Sequence, residues 1–194
     1  MPIDRRLDHG VTFRGLFQLQ SPEDLLDKLA HDYDRFEKSQ LDQYVAFDFF
    51  VTAEHVLDWL YPDDEDKTIS KSNKERRKDV RSKSLLLQVC SHIASGSKHF
   101  VALDSRHVSV KDASKHEGAF AREAFSPTGF DVPRLEIRLQ GEASRELGES
   151  IDAFELAGKV LDFWKNYKEL QSKASKSPPG RGFVRNRIRQ IDPG

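Results

Sequence analysis

Asp48, Thr52, His55 and Trp59 recur at i, i+4, i+7 and i+11, a single line along a helix. They interrupt a segment, DQYVAFDFFVTAEHVLDWLY over 42–61, that is otherwise apolar on most sides. A carboxylate and an imidazole on one side of a helix can exchange a proton or hold a polar ligand. The plainer role for the same residues is the wet face of a buried helix, with His55 hydrogen-bonded to a neighbour. Glu54 and Asp58 make a separate i, i+4 pair. A second polar set, SHIASGSKHF over 91–100, closes another apolar stretch. Glycine costs about 1 kcal/mol inside a helix relative to alanine, so Gly96 marks a helix end or a close approach of backbones. Lys98 and His99, if they meet His55, would hold an anion such as phosphate. Their plainer role is as cations at the negative end of a helix dipole. The expected ligand site is therefore Asp48, Thr52, His55, Lys98 and His99, with His99 and His55 as the acid–base pair if the chain is an enzyme.

Other chemistries fall away on spacing. Cys90, His92, His99 and His55 are the metal-ligating types near this site, but Cys90 and His92 diverge by about 200° on a helix. No closed zinc pattern is present, and no metal or cofactor is expected. Phosphate loop, nucleophile elbow, zinc-protease helix and dinucleotide glycine motif are all missing.

The elements that must position these residues are legible from periodicity. Ser21 caps a first helix with Pro22 at its first position and Leu25, Leu26, Leu29, Tyr33 and Phe36 in one stripe to about residue 38. Residues 11–19 read as a short strand or extended arm. The second helix is Asp42–Tyr61, stopped by Pro62 and the acidic loop Asp63-Asp64-Glu65-Asp66. Ser72 and Glu75 form a capping box for a third helix running to about Ala94. Segments 100–103, 107–111, 119–125 and 135–140 read as short strands, with a turn at 126–129. Ser150 caps a fourth helix through Ile151, Phe154, Ala157, Leu161 and Trp164 to about Leu170. The expected fold is α+β, mainly α: a four-helix core with a small antiparallel β insertion, at about 100–140, between helices three and four. One domain spans 1–172 and a flexible basic tail spans 173–194.

Charge is unevenly placed. The whole chain of 194 residues carries −1, which argues against a whole-protein electrostatic role with nucleic acid or membrane. Yet Lys173, Lys176, Arg181, Arg185, Arg187 and Arg189 give the tail a local +6 with no acid over 173–189. The third helix starts with Lys74, Arg76, Arg77, Lys78, Arg81 and Lys83, at the dipole end that disfavours cations. The acidic loop beside it is one source of compensation; the phosphates of RNA or DNA are another. Arg181, Arg185, Arg187 and Arg189 would be the tail's nucleic-acid contacts. With one cysteine, no apolar leader at the N-terminus and no run long enough for a bilayer, the expected location is the cytoplasm.

With the helices placed, the arrangement over about 21–100 and 150–170 resembles the HEPN superfamily of helical bundles. Ribonucleases of that family carry an Arg, usually followed by a polar residue, and a His four to six residues on, with two sites facing across a dimer. Here His99 and Ser95 fall where the His and the polar residue would stand, but Ala94 occupies the Arg position, and His92 has only Leu85, Leu86 and Leu87 upstream. The resemblance implies a module that binds a partner protein, RNA or an anionic ligand, able to form a homodimer, in a toxin–antitoxin or anti-phage setting. The alternative it implies is metal-independent RNA cleavage with a reworked site.

Overall fold

Ser21 opens α1 (Pro22–Lys38) through a reciprocal capping box. Its hydroxyl accepts from the Asp24 N–H at 3.1 Å while the Asp24 carboxylate accepts the Ser21 N–H at 2.8 Å. The computed structural model describes residues 19–98, 108–117 and 132–167, with the backbone alone at Ser97 and Lys98. Asp42 caps α2 (Gln43–Leu60) by accepting from the Tyr44 and Val45 N–H groups. This helix buries Phe49, Phe50, Ala53, Val56, Leu57 and Leu60, which makes it the centre of the core.

The expected third helix is two helices. Asp66, not Ser72, is the first cap, accepting from the Thr68 N–H at 2.7 Å, so α3 (Lys67–Ser82) begins six residues earlier than the Ser72 box implies. No glycine or proline breaks the chain after it; serines do. The Ser82 hydroxyl donates back to the Asp79 carbonyl at 2.8 Å, and the Ser84 hydroxyl accepts from the Leu87 N–H at 3.4 Å. Such local bonds compete with the helical ladder, and α4 (Leu85–Lys98) starts afresh. α3 buries no residue, whereas α4 buries Leu87, Val89, Cys90 and Ala94.

Three antiparallel strands follow in the order β1 (Val110–His116), β2 (Arg134–Leu139), β3 (Ser150–Asp152). Ile137 lies opposite Ala113 on one side and Ile151 on the other, and Leu135, Ile137, Leu139 and Ile151 bury one face. Between β2 and β3 sits α5 (Gly141–Leu147), entered and left through Gly141 (φ +65°) and Gly148 (φ +96°), conformations that other residues adopt only with strain. Asp152, not Ser150, caps α6 (Ala153–Lys165), because Ser150 and Ile151 belong to β3. α6 buries Leu156, Ala157, Val160, Leu161 and Trp164. A Cβ at Gly158 would stand 3.3 Å from the Tyr33 hydroxyl, so α1 and α6 approach closely at that glycine.

The fold class is thus mainly helical α+β with a small antiparallel sheet. Strands expected at 100–103 and 119–125, the turn at 126–129, nearly all of 11–19, the far end of the last helix and the tail at 173–194 lie outside the described residues.

Candidate functional site

The first half of the polar line on α2, Asp48 and Thr52, faces α1. The Thr52 hydroxyl donates to Asp32 Oδ2 at 2.7 Å and accepts from Lys28 Nζ at 2.8 Å, and Lys28 closes the triangle onto the same carboxylate oxygen at 2.5 Å. Asp32 is only 2% exposed. A buried carboxylate needs charge and hydrogen-bond partners, and Arg35 adds a second cation 3.7 Å from its other oxygen. Arg35 also reaches Asp48 at 3.3 Å. Asp48 and Thr52 therefore fasten α2 to α1 rather than line an open pocket.

His55 turns the other way. Its Nδ1 lies 3.1 Å from Asp58 Oδ2 in its own helix. Asp58 leads on to α3: Arg77 Nε stands 3.7 Å from it, Arg77 Nη2 donates to Asp63 at 2.7 Å, and Arg77 Nη1 donates to the Tyr61 carbonyl at 2.7 Å. Burial pushes the Asp58 carboxyl up, but the bond with His55 and the charges of Arg77, His55 and Arg81 together hold it below the ordinary value. One turn along, Arg81 pairs with Glu54. Burial raises the Glu54 carboxyl, and this outweighs the pull of Arg81 and of the Ser91 hydroxyl on α4. Oε2 of Glu54 and Nε of Arg81 are buried without a well-formed hydrogen bond. The Cys90 thiol on α4 is fully buried, and that burial, with the Glu54 charge, pushes it well above its ordinary value. Such a thiol is a poor nucleophile.

α3 itself carries seven cations and two acids, a net of +5. Arg77 and Arg81 are spent inward, and Arg76 lies over the Tyr61 ring. Lys67, Lys71, Lys74 and Lys78 are different. Their 4-3-4 spacing puts them within a sector of about 60°, a row along one flank. All four are exposed, and none makes an ion pair or hydrogen bond among the described residues. The acidic loop supplies Asp63 to Arg77 and Asp66 to the cap, but nothing to this row. A helix start at Ser72 leaves Lys67 and Lys71 in a loop, and the row is not apparent from that boundary. The Asp66 cap followed by lysines at 67, 71, 74 and 78 was the signal that would have found it.

Lys98 ends α4 with only its backbone described; His99 and the tail arginines Arg181, Arg185, Arg187 and Arg189 lie outside the described residues. His92 accepts the Val110 N–H on Nδ1 at 2.9 Å, tying α4 to β1. Among the described residues no group of three His, Cys, Asp or Glu side chains could hold a metal ion, and no helix is long and apolar enough to cross a membrane. An apolar cleft of about 170 Å³ lies between α2 and the sheet, lined by Phe47, Phe50, Ile93, Leu135 and Ile137.

No protein-family model matches this chain, and neither a curated protein nor a solved structure is significantly similar to it.

Proposed function

We propose that the chain is a non-catalytic helical binding module for an anionic partner, with the lysine flank of α3 as its contact surface. The reading takes α1, α2, α4 and α6 as a HEPN-like four-helix bundle into which the sheet is inserted, and α3 as its charged attachment. The observation that carries it is the unequal use of charge. Asp48, Thr52 and His55 are each engaged within the chain, while four lysines in one row are engaged by nothing among the described residues. Like charges held in a row repel, and an anionic partner relieves that repulsion as it releases counterions.

Elution from immobilised heparin tests it. The chain is expected to need distinctly more salt for elution than a variant with Lys67, Lys71, Lys74 and Lys78 all changed to Gln. A control changing Lys111, Arg138 and Arg145 to Gln removes nearly as much charge elsewhere and should elute close to the parent. Equal elution of parent and α3 variant would contradict the proposal.

The second reading, metal-independent RNA cleavage, draws on the His55–Asp58 pair, since a carboxylate beside an imidazole fixes its orientation and tautomer. Its test is total RNA incubated with the chain in chelator. Cleavage abolished by His55→Ala would displace the binding reading.

A further inference from the structure

We infer that the lysine row of α3 is a docking surface for the phosphate backbone of double-stranded nucleic acid, engaged without regard to base sequence. This rests on the anionic-partner reading above and goes further by naming the partner.

The row selects among anionic partners by what accompanies it. Lys67 to Lys78 spans 11 residues, about 17 Å of helix, roughly half the ~34 Å repeat of a B-form duplex. Its charges recur every 4.5–6 Å or so along the axis, a spacing suited to a regular array of phosphates. Membrane surfaces call for an apolar face beside the basic one, and α3 lacks it. Ile69, its one exposed large hydrophobe, sits on the opposite side of the helix from the row. Protein partners are gripped by aromatic and arginine anchors, with lysine depleted from the buried centre; the row has neither anchor. Single strands are held by bases stacked on aromatic side chains, and no aromatic residue occurs anywhere in α3. A duplex asks for none of these. Its bases are stacked inside, and its outer surface is phosphate, which lysine contacts as a point charge.

The way α3 is mounted suits the same role. Arg77 and Arg81 anchor its inner side to Tyr61, Asp63 and Glu54, and Asn73 donates to the Pro62 carbonyl at 2.8 Å. These contacts leave the lysine row exposed on the flank beside them.

Fluorescence anisotropy of the full chain with a 20-base-pair RNA duplex, a DNA duplex of the same sequence, a (dT)20 strand and polyglutamate tests the inference between 50 and 200 mM salt. A duplex of either kind should bind more tightly than the single strand or polyglutamate, and a shuffled duplex should bind equally well. Four phosphate contacts contribute about 3.6 to the slope of log affinity against log salt, at about 0.9 each. Lys71→Gln with Lys74→Gln should therefore lower the slope by about 1.8, and the fourfold Gln variant by about 3.6. The Lys111→Gln/Arg145→Gln control should leave it unchanged. A single strand or polyglutamate bound as tightly as duplex would overturn the inference while leaving the anionic-partner reading in place. A slope unaltered in the α3 variants overturns it too. No binding to any of the four probes overturns both.

Discussion

Thr52 is the residue on which two descriptions of the polar line diverge. As part of a ligand site it would turn toward solvent; instead it is 5% exposed and bridges Lys28 and Asp32. Replacing it by the near-isosteric valine leaves the buried Asp32 carboxylate one donor short. A hydrogen bond to a charged group contributes about 1.5–3 kcal/mol, and Lys28 stays on the same carboxylate, so Thr52→Val should lower the unfolding free energy by about that amount in a urea melt and leave heparin elution unchanged. Glu54 and Asp58 give a second expectation, of opposite signs. The raised Glu54 carboxyl holds its proton more tightly folded than unfolded, so its contribution is complete below the ordinary glutamate value and lost as pH rises through the folded value. The lowered Asp58 carboxyl contributes above the ordinary aspartate value and loses that contribution as pH falls through its folded value. Stability should therefore rise as pH falls from neutral toward the glutamate range, by at most about 1.4 kcal/mol per pH unit from this one proton, and drop again in stronger acid. Glu54→Gln should flatten the first limb and spare the second, in urea melts repeated across pH. At this scale the sequence displayed the line Asp48, Thr52, His55 through helical spacing alone. It did not display the mates, because Lys28, Asp32 and Arg35 stand on another helix and only packing brings them within reach.

The helices differ in what holds them down. α1, α2, α4 and α6 each bury an apolar stripe, while α3 buries nothing and rests on Arg77, Arg81 and Asn73, with Val80 its partly buried hydrophobic contact. A helix attached chiefly by charge and hydrogen bonds opens at lower cost than one attached by a core face. Cys90, the sole cysteine, is fully buried and within reach of the Glu54 charge, so its labelling tests that opening. Arg81→Ala is expected to speed labelling of the Cys90 thiol about tenfold or more under native conditions, the equivalent of ~1.4 kcal/mol in the opening equilibrium. Labelling at the parental rate would mean that α3 does not shield the thiol. Apolar periodicity made α1 and α2 legible nearly to their ends, since their patterns and caps agree. It misread the 66–98 region because an exposed, charged helix has no apolar period to announce its start, and because serines at 82 and 84 break the chain without glycine or proline. β3 was hidden for a related reason: Ser150 resembles a helix cap, and only its pairing with Arg138 reveals a strand.

Across the whole chain, −1 conceals a strong division of charge. The segment 173–189 carries +6 and α3 carries +5, so the other residues, 18 cations against 30 acids, carry −12. By charge alone a polyanion is attracted to these two segments and repelled by the acidic remainder, within the ~8 Å reach of charge at physiological salt. The overall class, helices with a small antiparallel sheet, was legible because periodicity changes from 3.6 to 2 after residue 100. The proposed contact surface was only half legible. Its basic character stood in the sequence, but its geometry as a row depended on a helix boundary set by Asp66. Lysine footprinting by reductive methylation, with and without a heparin oligosaccharide, tests the central claim most directly. The account predicts that Lys67, Lys71, Lys74 and Lys78 become protected while Lys111 and Lys159 react as before. Protection confined to Lys173 and Lys176, with the four α3 lysines still reactive, would contradict it.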